Sequence, residues 1–135
     1  MNKQPDKMTA LYYRVANGKD RNLHLDNQMH RLHSYAAENG IDAYTVYADV
    51  GFSGTNFDRP AFQQMRAAIT AGQISQLVVL DMSRISRNFL AAMEFTEWAE
   101  QQGVLIVALN GDHRLAAINR QFLSELAALK GGEQE

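Results

Sequence analysis

The chain has 135 residues, no cysteine and a formal net charge of -2. That length suits one domain burying its own core without metal or disulfide support, and the missing cysteines exclude a disulfide framework and a thiolate zinc site. The negative balance argues against a broad DNA-holding face, because such affinity comes largely from many Lys and Arg neutralising phosphates; contact with nucleic acid is expected to be local and weak.

Residues 1–8 form a polar extension without the apolar core of a signal peptide, and no apolar run approaches membrane-spanning length. A soluble cytoplasmic protein with no membrane contact is therefore expected, its body spanning residues 9–130 before a polar tail at 131–135. Residues 9–15 alternate, Leu11, Tyr13 and Val15 against Ala10, Tyr12 and Arg14, which is the period of a strand. A polar loop from Asn17 to Asn22 follows. From about Leu25 the spacing Leu25, Met29, Leu32, Ala36 predicts a helix that Asn39-Gly40 ends.

Residues 44–48 read as a short strand, and Gly51 to Asp58 as a loop. Pro60 then fits the first turn of a helix with Phe62, Met65 and Ile69 on its apolar side and Gly72 at its close. The run Leu77-Val78-Val79-Leu80 suits a strand buried on both faces. A helix over about 88–102 is predicted from the stripe Phe89, Ala92, Met93, Thr96, Ala99, with Phe95 and Trp98 beside it. A strand over 104–109 and a last amphipathic helix carrying Ile118, Phe122, Leu126 and Leu129 complete the chain. Alternating strands and helices predict an α/β fold, a mainly parallel sheet with helices on both faces.

In such sheets ligands bind beyond the carboxyl ends of the strands, where three short stretches fall: Tyr12-Tyr13-Arg14-Val15-Ala16, Gly51-Phe52-Ser53-Gly54 running on to Asp58-Arg59-Pro60, and Ser83-Arg84-Ile85-Ser86-Arg87-Asn88. Fixed guanidinium groups stabilise negative charge building on a phosphate, so clustered arginines suit that chemistry. Arg84 and Arg87, three apart, would share a face at a helix amino end if their segment is helical, with Ser83 and Ser86 as caps or phosphate donors. Arg14, between Val15 and aromatics, needs a partner, and an ion pair with Asp49 or Asp81 is the structural alternative. Asp58-Arg59-Pro60 reads equally as a turn before a helix. The glycine loop would let a phosphate or another backbone approach closely. The histidines His24, His30, His33 and His113 form no convincing metal site.

In their order and spacing the three stretches resemble the catalytic domain of the serine recombinases, the resolvases, invertases and large serine integrases that cut and rejoin DNA. The resemblance runs from Thr9 to about Asp112. It implies that Arg14, Arg59, Arg84 and Arg87 correspond to the family's phosphate-binding arginines. It likewise implies that Asp49 and Ser53 support the site, that Gln28 is the active-site glutamine and that Tyr12 is the leading tyrosine. It implies no metal and no other cofactor, and it points to DNA and to further recombinase copies as partners, in a homo-oligomer or paired with a full-length enzyme.

Departures weigh as much. The family's first motif reads Tyr-x-Arg-Val-Ser, its serine attacking the DNA phosphate, and this chain carries Ala16 there; a methyl group is no nucleophile. Asp20 stands where many members have glutamine, and Ser83 where many have aspartate. Family members continue into a long helix and a DNA-binding domain, whereas here the last amphipathic segment stops near Lys130. Two expectations follow: a strand-exchange domain inactive as written, or a non-catalytic module pairing with an active recombinase. A flavodoxin-like or receiver-like small-ligand domain is disfavoured, because Asn17-Gly18-Lys19 replaces the phosphate loop or acidic cluster such a domain would want after its first strand.

Overall fold

A computed structural model describes residues 7–110 of the chain. Strand β1 (Met8–Val15) is buried almost throughout and pairs in parallel with β2 (Tyr44–Val50) on one side and β3 (Ile74–Val79) on the other. Strand β4 (Leu105–Ala108) pairs in parallel with β3, giving the order β2-β1-β3-β4. Parallel neighbours need a crossover each time, and three helices supply them: α1 (Arg21–Glu38), α2 (Pro60–Thr70) and α3 (Phe89–Gln101). The succession of strands and helices along the chain and the place of Pro60 at the start of α2 follow the sequence reading.

Strand alternation divides the core in two. Ala10, Tyr12, Leu77 and Val79 face α2 and α3, packing with Phe62, Met65, Ile69, Phe95 and Ala99. Leu11, Tyr13 and Val78 face α1 and pack with Leu32. Helices thus cover both faces of an all-parallel sheet, as the alternation predicts. The last predicted helix and both terminal segments lie outside the described residues.

Several boundaries differ from the sequence reading. Helix α1 begins at Arg21 rather than near Leu25, because its first turn is polar and its Leu23 is exposed, leaving no apolar period to read. Its inward row is Leu25, Gln28, Leu32, Ala36, with Met29 turned outward. Phe89 likewise opens α3 facing solvent at 61% exposure, whereas Phe95 joins the core. Arg84 and Arg87 precede that helix instead of sharing its amino end. Arg84 closes a single 3-10 turn (Met82–Arg84), and Asn88, not a serine, caps α3 by accepting from the Ala91 N–H at 3.1 Å.

Candidate anion-binding site

Pairing of β1 with β3 ends at Leu11↔Val78, while pairing with β2 continues to Val15↔Val50. The chain after β3 turns away, so the last residues of β1 lose a strand neighbour. Gln28 takes its place: its Oε1 accepts the Arg14 backbone N–H at 3.2 Å, and its Nε2 donates to the Arg14 carbonyl at 3.0 Å. A buried side-chain amide therefore continues the hydrogen bonding that a peptide strand would have supplied, as buried backbone polar groups require.

The Arg14 side chain is 1% exposed. Among the described residues no carboxylate pairs with it: neither Asp49 nor Asp81, the alternatives posed by sequence, is its partner. Its Nε donates to the Arg84 carbonyl (3.2 Å), Nη1 to Phe52 (3.2 Å) and Nη2 to Ser83 (2.6 Å). A guanidinium has five N–H groups, so one on each terminal nitrogen remains for a ligand. Burial first, then repulsion from Arg59, Arg84 and Arg87, lowers its pKa to about 10.

Beneath lies a second network. Arg59, also 1% exposed, donates to the Tyr12 hydroxyl (2.9 Å), to the Arg84 carbonyl (2.8 Å), to the Asn56 carbonyl (3.0 Å) and to the Ile85 carbonyl, with its guanidinium carbon 4.6 Å from the Phe62 ring centre. Tyr12 donates to Asp49 Oδ2 at 2.7 Å, and Asp49 accepts the Ala61 and Phe62 N–H groups, both at 2.9 Å, at the start of α2. A carboxylate at a helix amino end satisfies orphan donors and complements the helix dipole. Burial, then the bond to Asp49, holds the Tyr12 phenol well above its ordinary pKa.

Above these layers an open pocket of about 370 Å³ lies at the carboxyl end of β1. Arg14, Val15 and Ala16 line it together with the loop 17–20, the first turn of α1 through Arg21 and His24, and Arg84 and Arg87. The basic lining is graded: Arg14 is buried, Arg84 half-buried and Arg87 exposed. Arg84 Nη1 donates to the Arg14 carbonyl at 3.0 Å, and its Nε lies 3.5 Å from Asp81 Oδ2. Asp81 also accepts from the backbone and the hydroxyl of Ser83, which fixes the turn.

Of the residues singled out by sequence, Arg14, Arg84, Arg87 and Ala16 share this pocket. Arg59, Tyr12, Asp49 and Gln28 do not line it; they form the layer that holds Arg14 and the turn carrying Arg84. Ser53 is exposed and does not line the pocket, although its neighbours Phe52 and Gly54 meet Arg14; its Oγ accepts from the Thr55 N–H at 3.2 Å. Lys19, Arg21 and His24 line the pocket without having been singled out there; their place just after a strand's carboxyl end was the available signal. Among the described residues no group of three or more His, Cys, Asp or Glu is placed to hold a metal ion, and no helix is long and apolar enough to cross a membrane.

Comparison with known proteins gives concordant matches. The family model described as the resolvase N-terminal domain matches residues 9–134. A Bacillus subtilis (strain 168) protein named "Putative DNA recombinase" is 26% identical over 129 residues, covering 94% of this chain; the chain spans only 25% of that relative. The N-terminal catalytic domain of TP901-1 integrase superposes with a TM-score of 0.71 at 28% identity, over 95% of this chain and 97% of that domain. The C-terminal catalytic domain of IS1535 TnpA, an IS607-like serine recombinase, gives a TM-score of 0.62 at 29% identity, over 77% and 72% of the two chains. At 21% identity a resolvase family site-specific recombinase from Streptococcus pneumoniae shares the fold, with a TM-score of 0.64 over 95% of this chain and 97% of that one.

Proposed function

Because the chain belongs to the family of resolvase N-terminal domains, we propose that it is a serine-recombinase catalytic domain whose pocket holds a DNA phosphodiester without attacking it. The observation carrying this reading is that Arg14, Arg84 and Arg87 line one pocket with Ala16 at its edge. Arg87 and Arg84 meet the phosphate oxygens first, and the free N–H groups of Arg14 reach them from the floor. Such charge-assisted bonds in a partly desolvated site are the stronger kind. They favour an anion further because a bound phosphate offsets what depresses the Arg14 pKa, burial first and then repulsion from Arg59, Arg84 and Arg87.

The attacking oxygen is what this site lacks. In the family that step is transesterification: a serine hydroxyl bonds to phosphorus, the strand's leaving oxygen departs, and a phosphoserine link to one DNA end results. Ala16 offers no lone pair to begin it, so the domain binds and orients but does not cut. DNA and additional recombinase copies, of this chain or of an active relative, are the partners this reading assigns.

Fluorescence anisotropy of a labelled duplex at low salt tests it. Binding should be weak and fall with salt, with a log–log slope of about −1 for the one phosphate the pocket holds. Replacing Arg84 and Arg87 together by Ala should remove most of the binding. A double variant that binds as the parent does, with the same salt slope, refutes the assignment.

A further inference from the structure

The loop between β2 and α2 meets the anion site through Gly54, which is buried. Its backbone dihedrals do not demand glycine: the glycines with positive φ are Gly40, Gly51, Gly72 and Gly103. Space demands it. A Cβ built on Gly54 would lie 2.8 Å from Nη2 and 2.9 Å from Cζ of Arg14, and 2.9 Å from Cγ of Arg87. Real Cβ atoms essentially never come that close to their neighbours. By contrast, a Cβ on Gly18 would meet nothing within 4 Å.

We infer that Gly54 is a positioning residue for the anion site, its bare Cα being the surface against which the Arg14 guanidinium and the Arg87 stem are both set. The inference rests on the reading that these arginines face a phosphate. The Arg14 guanidinium cannot retreat freely, and Arg87 is tied to the loop through its backbone. The Arg14 guanidinium is held by the Phe52, Ser83 and Arg84 carbonyls. The Arg87 backbone donates to the Gly54 carbonyl itself at 3.0 Å, and the Ser86 hydroxyl donates to the same oxygen at 3.5 Å. A methyl at this position therefore either drives Arg14 off its carbonyls or lifts the loop from Arg87. Both outcomes change the separation of the two guanidinium groups that a single anion must bridge. Within the loop whose glycines suggested close approach by a phosphate or another backbone, Gly54 is approached closely by two arginine side chains.

The test is Gly54→Ala in 15N-labelled chain, with sulfate as the probe. Two signals are read: the side-chain Nε–H resonance of Arg14, which the bond to the Arg84 carbonyl makes observable, and the sulfate dissociation constant. In the variant the Arg14 resonance should move before any sulfate is added. The amide signals of Leu32 and Val78, on the opposite face of the sheet, should stay in place. Sulfate affinity should fall about tenfold, the scale of one charge-assisted bond lost. In an Arg87→Ala background, where one of the two close approaches is gone, Gly54→Ala should cost less than it does alone; a merely structural lesion would cost the same in both. An unmoved Arg14 signal with undiminished sulfate binding overturns the inference and leaves the anion site standing. Failure of the parent chain to bind sulfate instead overturns the site, while the Arg14 resonance still reports on positioning. Should Gly54→Ala not fold, the double variant with Arg87→Ala decides: a folded protein with a shifted Arg14 signal supports positioning, and an unfolded one overturns it.

Discussion

Gln28→Leu removes the amide that stands in for a missing strand beside Arg14, at nearly constant volume. Two consequences follow from the structure. The Arg14 backbone N–H loses the partner it has, Gln28 Oε1 at 3.2 Å, and an unmade buried donor costs about 1–3 kcal/mol. The Arg14 carbonyl loses the Gln28 Nε2 bond at 3.0 Å but keeps Arg84 Nη1 at 3.0 Å, so that share is about 0.5–1.5 kcal/mol. Together they set an expected loss of about 1.5–4.5 kcal/mol. For a domain of this size that is a fall in Tm of about 5–17 °C. Calorimetry or circular dichroism at neutral pH reads it directly. If Gln28→Leu melts within about 3 °C of the parent, or above it, the amide does not carry the end of β1 and the argument fails.

Asp49→Asn places an amide where one carboxylate accepts from Tyr12, Ala61 and Phe62; loss of an acceptor and of charge at the start of α2 should cost about 1–4 kcal/mol in urea unfolding. The Tyr13 phenol is pushed up by burial to about 12, from an ordinary 10.0. The unfolded chain therefore releases that proton first, and stability falls as pH climbs from about 10 to about 12. Tyr13→Phe should flatten that fall relative to the parent, a comparison in which the opposite contribution of Arg14, lowered to about 10, is common to both; equal slopes would contradict the phenol's part. Incubation of the chain with a labelled duplex should give no protein–DNA adduct on a denaturing gel. An adduct formed with Ala16 in place would overturn the inert-site reading, and Ala16→Ser fused to a DNA-binding domain is the variant in which to look for restored linkage.

The amino-acid sequence by itself determined the order of strands and helices, because burial periodicity and stop signals such as Gly72 are local properties of neighbouring residues. It also placed Arg14, Arg84 and Arg87 at the ends of elements, where the carboxyl edge of a parallel sheet gathers them. That Ala16 stands where the family's first motif has serine is an expectation carried by the resemblance of the sequence. What each arginine touches was not legible there. Arg14 is held by carbonyls from two other segments, one of them 70 positions away, and carbonyl partners leave no trace in residue type. Gln28 was marked by the resemblance as an active-site glutamine, but its bonds to the Arg14 backbone follow from the divergence of β3 from β1, which no local pattern shows. The loop holding Gly54 read as one that would let a phosphate or another backbone approach closely; the crowding of Gly54 by Arg14 and Arg87 appears only when the β2–α2 loop packs on two arginines from other segments. Arg59, one of four similar arginines in the motifs, is separated from the rest by burial: it lies under the site, against Phe62 and Tyr12. Those distinctions depend on which distant backbone groups are left needing donors, and only the packed tertiary structure settles that.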